Sequence, residues 1–221
     1  MDDTLRREML AYDTCLVSDA LEKLGLPHGI QEIQRLTTRR RIFGRCVTVQ
    51  IDRFSGDVPK RHLGANAVEA AAPGDIIVMA HRSRDDCACW GGLLSTSASL
   101  ARVGGVIVDG RVRDIDESEE LSLPVFARGA TPVTARSRVV ETATNEPIQV
   151  GHATVRPGDY VLADGSGVAF IPADRFDELL AVARELHAFE EGVRNALFAG
   201  RSIGEVMNQN YETLLKTKAS G

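Results

Sequence analysis

Gly91-Gly92-Leu93-Leu94-Ser95-Thr96-Ser97-Ala98-Ser99-Leu100-Ala101-Arg102-Val103-Gly104-Gly105-Val106-Ile107-Val108-Asp109-Gly110-Arg111-Val112-Arg113-Asp114 is the stretch that decides the fold. Its first half places apolar residues at Leu93, Leu94, Ala98, Leu100 and Ala101, which predicts a helix over 91–103. Gly104-Gly105 stops that helix, because glycine accepts the left-handed backbone of a C-terminal cap. Val106-Ile107-Val108 then reads as a short buried strand. The chain leaves it through the charged run Asp109 to Asp114.

The same alternation of helix and strand continues outward. Pro73-Gly74-Asp75 is a turn that admits the buried strand Ile76-Ile77-Val78-Met79-Ala80. Val47, Val49 and Ile51 alternate with Thr48 and Gln50, a half-buried strand over Cys46 to Ile51. Thr4 to Leu24 reads as helix, with Ser18-Asp19 as a cap for a second helix ending at Gly25. Downstream lie an acidic helix at Asp116 to Leu121 and strands at Pro124 to Ala127, Thr131 to Val140, Ile148 to Val150 and Ala153 to Val155. Pro157-Gly158-Asp159-Tyr160-Val161-Leu162-Ala163 echoes Pro73 to Ala80, and Val168 to Ile171 follows as another strand. Leu179, Leu180, Ala183, Leu186, Phe189, Val193 and Leu197 mark one face of a long helix from Ala173 to Ala199. Ile203 to Leu215 reads as a last helix. Many short strands interleaved with helices predict a layered α/β domain, with no linker to divide it.

The chain has 221 residues, 43% hydrophobic and 26% charged, enough for a full core without disulfides. A formal net charge of -5 leaves no basic footprint for nucleic acid. No apolar run is long enough to span a membrane, and Met1 leads into Asp2, Asp3, Arg6 and Arg7 rather than an apolar leader. The expectation is a cytoplasmic protein with reduced thiols. Cys87-Ala88-Cys89 has no second Cys or His pair beside it, so these read as buried small residues rather than a zinc site.

Chemistry concentrates between Trp90 and Asp114. Two glycines at a helix start leave backbone N–H groups uncovered, where the partial positive charge suits a carboxylate or phosphate. Arg113 offers a planar fork of donors and Asp114 a hard oxygen suited to magnesium or manganese. Both follow a buried strand, and sites in α/β domains collect at strand ends. His81, beside Arg82 and Arg84, reads as a loop histidine, and Arg84 as a candidate for a second substrate carboxylate. His28, His62, His152 and His187 show no metal spacing.

Several separated motifs resemble the RraA-like family: Val17 to Leu21, Gly44 to Val49, Pro73 to Asp75, Ala88 to Leu94, Gly104 to Gly110, Val112 to Glu117, Pro124 to Gly129 and Ala163 to Val168. The family includes regulators of ribonuclease E and metal-dependent 4-hydroxy-4-methyl-2-oxoglutarate aldolases. The resemblance implies a β/β/α swivelling-type fold over one domain, 1–221, with a core of about 16–172 and C-terminal helices of about 173–216. It implies homotrimers or homohexamers with sites at subunit boundaries. It also implies that Arg113 holds a pyruvoyl group, that Asp114 binds Mg2+ or Mn2+, and that amides of Gly91, Gly92, Leu93 and Leu94 hold the substrate carboxylate. Glu190, on the C-terminal helix, matches a glutamate that reaches into the neighbour's site, with Glu191 as the alternative. Aldolase members carry an Asp or Glu twenty-one residues before the arginine, and that position is Gly92 here. Asp85 and Asp86 are candidates to fill the same space.

The leading expectation is therefore a divalent-metal lyase cleaving a carbon–carbon bond of a small 2-oxo acid through a pyruvate enolate. Retro-aldol cleavage and oxaloacetate decarboxylation share that chemistry. The rival is a non-catalytic regulator that binds a ribonuclease or another protein. A methyltransferase is disfavoured, because no glycine-rich nucleotide loop runs from strand to helix.

Overall fold

The computed structural model describes residues 3–56 and 61–207. In chain order the elements are α1 (Asp3–Ala11), α2 (Thr14–Lys23), β1 (Gln34–Arg35), β2 (Ile42–Arg53), α3 (Ala65–Ala70), β3 (Ile76–Ala88), α4 (Gly92–Leu100), β4 (Gly105–Val112), α5 (Ile115–Glu120), β5 (Val125–Ala130), β6 (Val139–Thr144), β7 (Ile148–Val150), β8 (Ala153–Val155), β9 (Tyr160–Ala163), β10 (Val168–Ile171), α6 (Phe176–Phe198) and α7 (Ile203–Val206). Among the described residues no helix is long and apolar enough to cross a membrane.

β2, β3, β4 and β5 lie side by side and parallel. Helices α4 and α5 supply the crossovers that parallel neighbours require. β2 is long enough to serve two further partners. Ile42 to Arg45 pair antiparallel with β9, and Val49 to Arg53 pair antiparallel with β6 across a bulge at Gln50/Ile51. β1 closes the far edge on β5.

Strand alternation sends side chains to two separate cores. Val47, Val49, Ile77, Met79, Val106 and Val108 pack on one face with Ala67, Leu94, Ala98 and Trp90 from the helical side. Cys46, Ile76, Val78, Ile107 and Phe126 pack on the other with Ile148, Val150, Ala153 and Val155 of the β7–β8 hairpin. The sheet is thus covered by helices on one face and by a hairpin on the other. Full burial of each Val or Ile contributes about 1.5–3 kcal/mol, so both coverings are strongly held. A third cluster joins α1, α2 and α6 through Met9, Leu16, Leu21, Phe43, Phe176 and Leu179. The result is a mixed α/β fold with N-terminal helices and a long C-terminal helix.

Three expectations are corrected. The second helix is capped by Asp13, whose carboxylate accepts the Leu16 N–H at 2.8 Å, rather than by Ser18-Asp19. Ser18 lies inside α2, where its hydroxyl accepts the Gly29 N–H at 3.0 Å. Residues 131–138 form no strand, and the strand starts only at Val139. His81 is no loop residue: β3 runs on through the charged segment to Ala88, and His81 is fully buried within it. The last predicted helix, Ile203 to Leu215, appears as α7 up to Val206, and its part from residue 208 onward lies outside the described residues.

The echoing turns are the same local device. Gly74 (φ 88°) and Gly158 (φ 85°) adopt a backbone that favours glycine. Asp75 accepts the Ala72 N–H at 2.9 Å, and Asp159 the Arg156 N–H at 2.7 Å. The strands they admit flank β2 in opposite senses, β3 parallel and β9 antiparallel. Shared turn chemistry, without a shared strand direction, accounts for the echo.

Candidate functional site

The C-terminal ends of β3 and β4 deliver Trp90 and Arg113 to the same spot. Arg113 N–H donates to the Trp90 carbonyl at 3.0 Å, and Cys89 N–H donates to the Arg111 carbonyl at 3.1 Å. This stitching brings the start of α4 against the start of α5. Gly91 caps α4 in an extended conformation with no side-chain hydrogen bond. The first-turn N–H groups at Gly92, Leu93 and Leu94 therefore have no acceptor within the helix. One of them is taken: Gly92 N–H donates to Asp114 Oδ2 at 2.8 Å. Arg113 Nε reaches the same oxygen at 3.2 Å.

Glycine at position 91 leaves room for the two site side chains, and its backbone angles are open to any residue. A Cβ there would lie 2.7 Å from Asp114 Oδ2 and 3.0 Å from Arg113 Nε. Asp114 sits in the left-handed region at φ 56°, a conformation that Asp tolerates better than most residues. Its carbonyl accepts the Ser118 N–H at 3.2 Å. Ser118 Oγ pairs with Ser95 Oγ at 2.8 Å, and Ser95 Oγ accepts the Trp90 indole N–H at 2.9 Å. These buried bonds lock α4, α5 and Trp90 into one frame, and leave Arg113 and Asp114 about one-third to two-fifths exposed on it (41% and 33%). A small cleft of about 80 Å³ opens beside them, lined by Gly91, Gly92, Leu93, Leu94, Arg113 and His62 among others.

The four backbone positions and the Arg113-Asp114 pair expected from sequence therefore come together. Glu190 does not join them within one protomer. It lies on α6, where burial, followed by the nearby charges of Asp13 and Asp19, raises its carboxyl above the usual range. Asp86 and Arg84 do not join them either. Arg84 grips Asp86 through Nε at 2.8 Å and Nη2 at 2.5 Å, and that guanidinium lowers the Asp86 carboxyl to about 2. The group that does reach position 92 is one that sequence reading passed over. A Cβ on Gly92 would be built onto the Glu117 carboxylate, within 2.6 Å of its Cδ. Glu117 read only as one of several acids at a helix start, and nothing in the local pattern pointed it across to α4.

Behind the site, Asp109 is 3% exposed and accepts from Arg128 Nε at 2.5 Å, and Arg128 also pairs with Glu32. His81 packs under β4, where a Cβ on Gly110 would lie 2.6 Å from its Nδ1. Burial, helped by the Arg84 charge, lowers its pKa to about 4, so it is neutral near pH 7. It supports the sheet and does not line the cleft. Cys87 and Cys89 are buried, as expected, and burial raises both thiols.

The donor chemistry fits a hard divalent cation. Asp114 and Glu117 put two carboxylates at the α4 start, and magnesium binds through one or two carboxylates while keeping several waters. Among the described residues no group of three or more His, Cys, Asp or Glu side chains is placed to hold a metal.

The Arg-Asp pair and the bare helix start stand together at the strand ends of a mixed α/β domain, and such donors suit a small anion. The family comparison sharpens this. The profile of the RraA-like family, described as Aldolase/RraA, matches residues 14–170, and the chain belongs to that family. A Halalkalibacterium halodurans protein named "Putative 4-hydroxy-4-methyl-2-oxoglutarate aldolase" is 33% identical over 187 residues, covering 83% of this chain and 84% of that one. Protein DlpA of Legionella pneumophila is 28% identical over 207 residues, 94% of this chain, but the match spans only 34% of that longer protein. A solved structure from Pseudomonas syringae pv. tomato superposes with a TM-score of 0.84 at 27% identity, covering 94% of this chain and 98% of that one.

Proposed function

We propose that this protein is a divalent-metal-dependent lyase that cleaves a carbon–carbon bond of a small 2-oxo acid, by retro-aldol cleavage of the 4-hydroxy-4-methyl-2-oxoglutarate type, by oxaloacetate decarboxylation, or both. The observation that carries this reading is the Arg113-Asp114 pair set 3.2 Å apart over the Gly91-Gly92 helix start. The name of the Halalkalibacterium relative supports it.

In this reading the N–H groups of Leu93 and Leu94, together with the partial positive charge of the α4 start, hold the substrate carboxylate. Arg113 lies alongside and stabilises the negative charge that grows on the former carbonyl oxygen as the bond breaks. Asp114 would hold Mg2+ or Mn2+, and the metal would supply Lewis acidity to the developing enolate. Glu190 works from a neighbouring copy in a homotrimer or homohexamer, since within one protomer it lies on α6 and does not line the cleft beside Arg113. A carboxyl raised by burial is a better proton carrier near neutral pH than an ordinary glutamate. The hairpin-sheet-helix layering agrees with the β/β/α swivelling class.

The test is pyruvate release from 4-hydroxy-4-methyl-2-oxoglutarate and from oxaloacetate, with Mg2+ or Mn2+ and with chelator. Metal-dependent release from at least one is expected. No release from either, or release that chelator leaves untouched, rejects the reading.

A further inference from the structure

We propose that His62 is the general base of the retro-aldol step, taking the proton of the substrate's C4 hydroxyl, so that the site is fitted to 4-hydroxy-2-oxo acids. The inference rests on the proposed function and names the proton acceptor and the substrate class of that same site.

The cleft beside Arg113 holds about 80 Å³, so the groups that line it face one small space. Few of them can take a proton near neutral pH. Arg113 is permanently protonated. Cys89 is 1% exposed, and burial raises its thiol well above the usual range. Among the described residues that line the cleft, His62 is the side chain that remains.

Its ring is prepared for the task. Nδ1 lies 2.7 Å from the Leu63 carbonyl oxygen. A carbonyl only accepts, so Nδ1 carries the ring proton and Nε2 presents the lone pair. The residue is exposed, which gives a captured proton a way out to solvent. The backbone around it is held in place. Ala65 N–H donates to the His62 carbonyl at 3.1 Å. Gly64 takes the left-handed conformation at φ 80°, and a Cβ there would lie 3.1 Å from Leu94 Cδ1 and 3.7 Å from Trp90 Cζ3. Glu141 on β6 accepts the Gly64 N–H at 2.7 Å and the Asn66 Nδ2 at 2.8 Å. The segment that carries His62 is thus fixed to the same Trp90-Leu94 frame that carries Arg113.

Nε2 takes the C4 hydroxyl proton as the C3–C4 bond breaks. The C4–O bond becomes a carbonyl, and the bonding pair passes into the enolate whose charge Arg113 stabilises. Glu190 of the partner subunit then gives C3 its proton. His62 releases its proton to solvent and Glu190 of the partner subunit regains one, so one 4-hydroxy-2-oxo acid yields pyruvate and a second carbonyl compound. Oxaloacetate has no C4 hydroxyl. Its C4 carboxylate leaves as carbon dioxide, and that cleavage needs no base.

His62→Ala and His62→Asn test this. The Asn variant keeps an N–H for the Leu63 carbonyl but offers no basic nitrogen. For each, kcat and KM are measured for pyruvate release from 4-hydroxy-4-methyl-2-oxoglutarate. Two comparators involve no C4 hydroxyl: oxaloacetate decarboxylation, and deuterium exchange into the methyl group of pyruvate followed by NMR. Both variants are expected to lower kcat for aldol cleavage by about 100-fold, the lower end for a lost general base, with KM little changed. The comparators are expected to change by less than about threefold.

An aldol loss under about tenfold overturns the proposal. So does an equal loss in aldol cleavage and the comparators, which is what a merely structural role would give. A wild-type protein that acts on oxaloacetate alone overturns this inference and leaves the proposed function standing. One that releases pyruvate from neither substrate rejects both.

Discussion

The parallel strands have two ends, and they differ in an instructive way. At their N-terminal ends, around Gly74, Gly104 and Leu123, lies a cleft of about 630 Å³ lined by Arg6, Arg40, Arg41 and Arg102. At their C-terminal ends lies the cleft of about 80 Å³ beside Arg113. The larger one has more cationic charge, but no carboxylate lines it. Arg41 there is engaged with the Leu10 carbonyl at 2.8 Å and with Asp164 at 3.4 Å, and Arg40 donates to the Ser122 carbonyl at 3.3 Å. No carboxylate lines the smaller one either, but at its rim Arg113, the Asp114 carboxylate and a bare helix start touch one another, with the Glu117 carboxylate beside Gly92. Volume and charge do not mark the chemistry; convergence of unlike groups does.

The comparison breaks most readily at Arg113. Replacing it by Ala is expected to lower kcat/KM for pyruvate release by about 1000-fold, the loss typical of a group that stabilises charge only in the transition state. An effect under about tenfold would place the chemistry elsewhere.

A smaller effect, on stability, is expected behind the site. Asp109→Ala leaves Arg128 without its buried partner and should cost about 3 kcal/mol in urea unfolding, the lower end for a broken buried pair. A cost near zero would show that the C-terminal end is not rigidly backed.

Smaller again, per pH unit, is an effect from His81. Its pKa is about 4 in the folded chain against about 6.5 unfolded, so the unfolded state binds the extra proton between those values. Stability is therefore full above about pH 6.5 and falls as pH drops toward 4, by up to about 1.4 kcal/mol per unit. Urea midpoints measured across that window should show the slope, and His81→Leu should flatten it.

The smallest effect is expected at the other end. Arg102→Gln should change stability by less than about 0.5 kcal/mol and leave pyruvate release as it was. A large loss of activity there would mean that the two ends are coupled.

The strand ends were legible in the sequence, but what crosses between them was not. Val106 to Val108 and Ile76 to Ala80 stand out because each is an unbroken apolar run, bounded by turn residues and too short for a buried helix. The rest of β3 does not stand out, because His81 to Asp86 is polar and its pairing is interrupted by register shifts at Arg84. Strand signals depend on alternation, and a bulged, charged strand has none. Arg113 and Asp114 were legible from their place after a buried strand. Glu117 was not, since its meaning depends on α5 meeting α4, a contact made by Ser95 and Ser118 far apart in sequence. Asp13, Ser18 and Asp19 are all residue types that cap helices well, and only the break after Ala11 singles out Asp13.

Trp90 gives the arrangement an optical handle. It is the chain's one tryptophan, 2% exposed, with its indole N–H held by Ser95 and its backbone carbonyl held by Arg113. Nearly all intrinsic fluorescence excited at the red edge of the ultraviolet band therefore originates one residue from Gly91. Any ligand that draws on Arg113 or the α4 start perturbs that emission directly, with no label and no background from another indole.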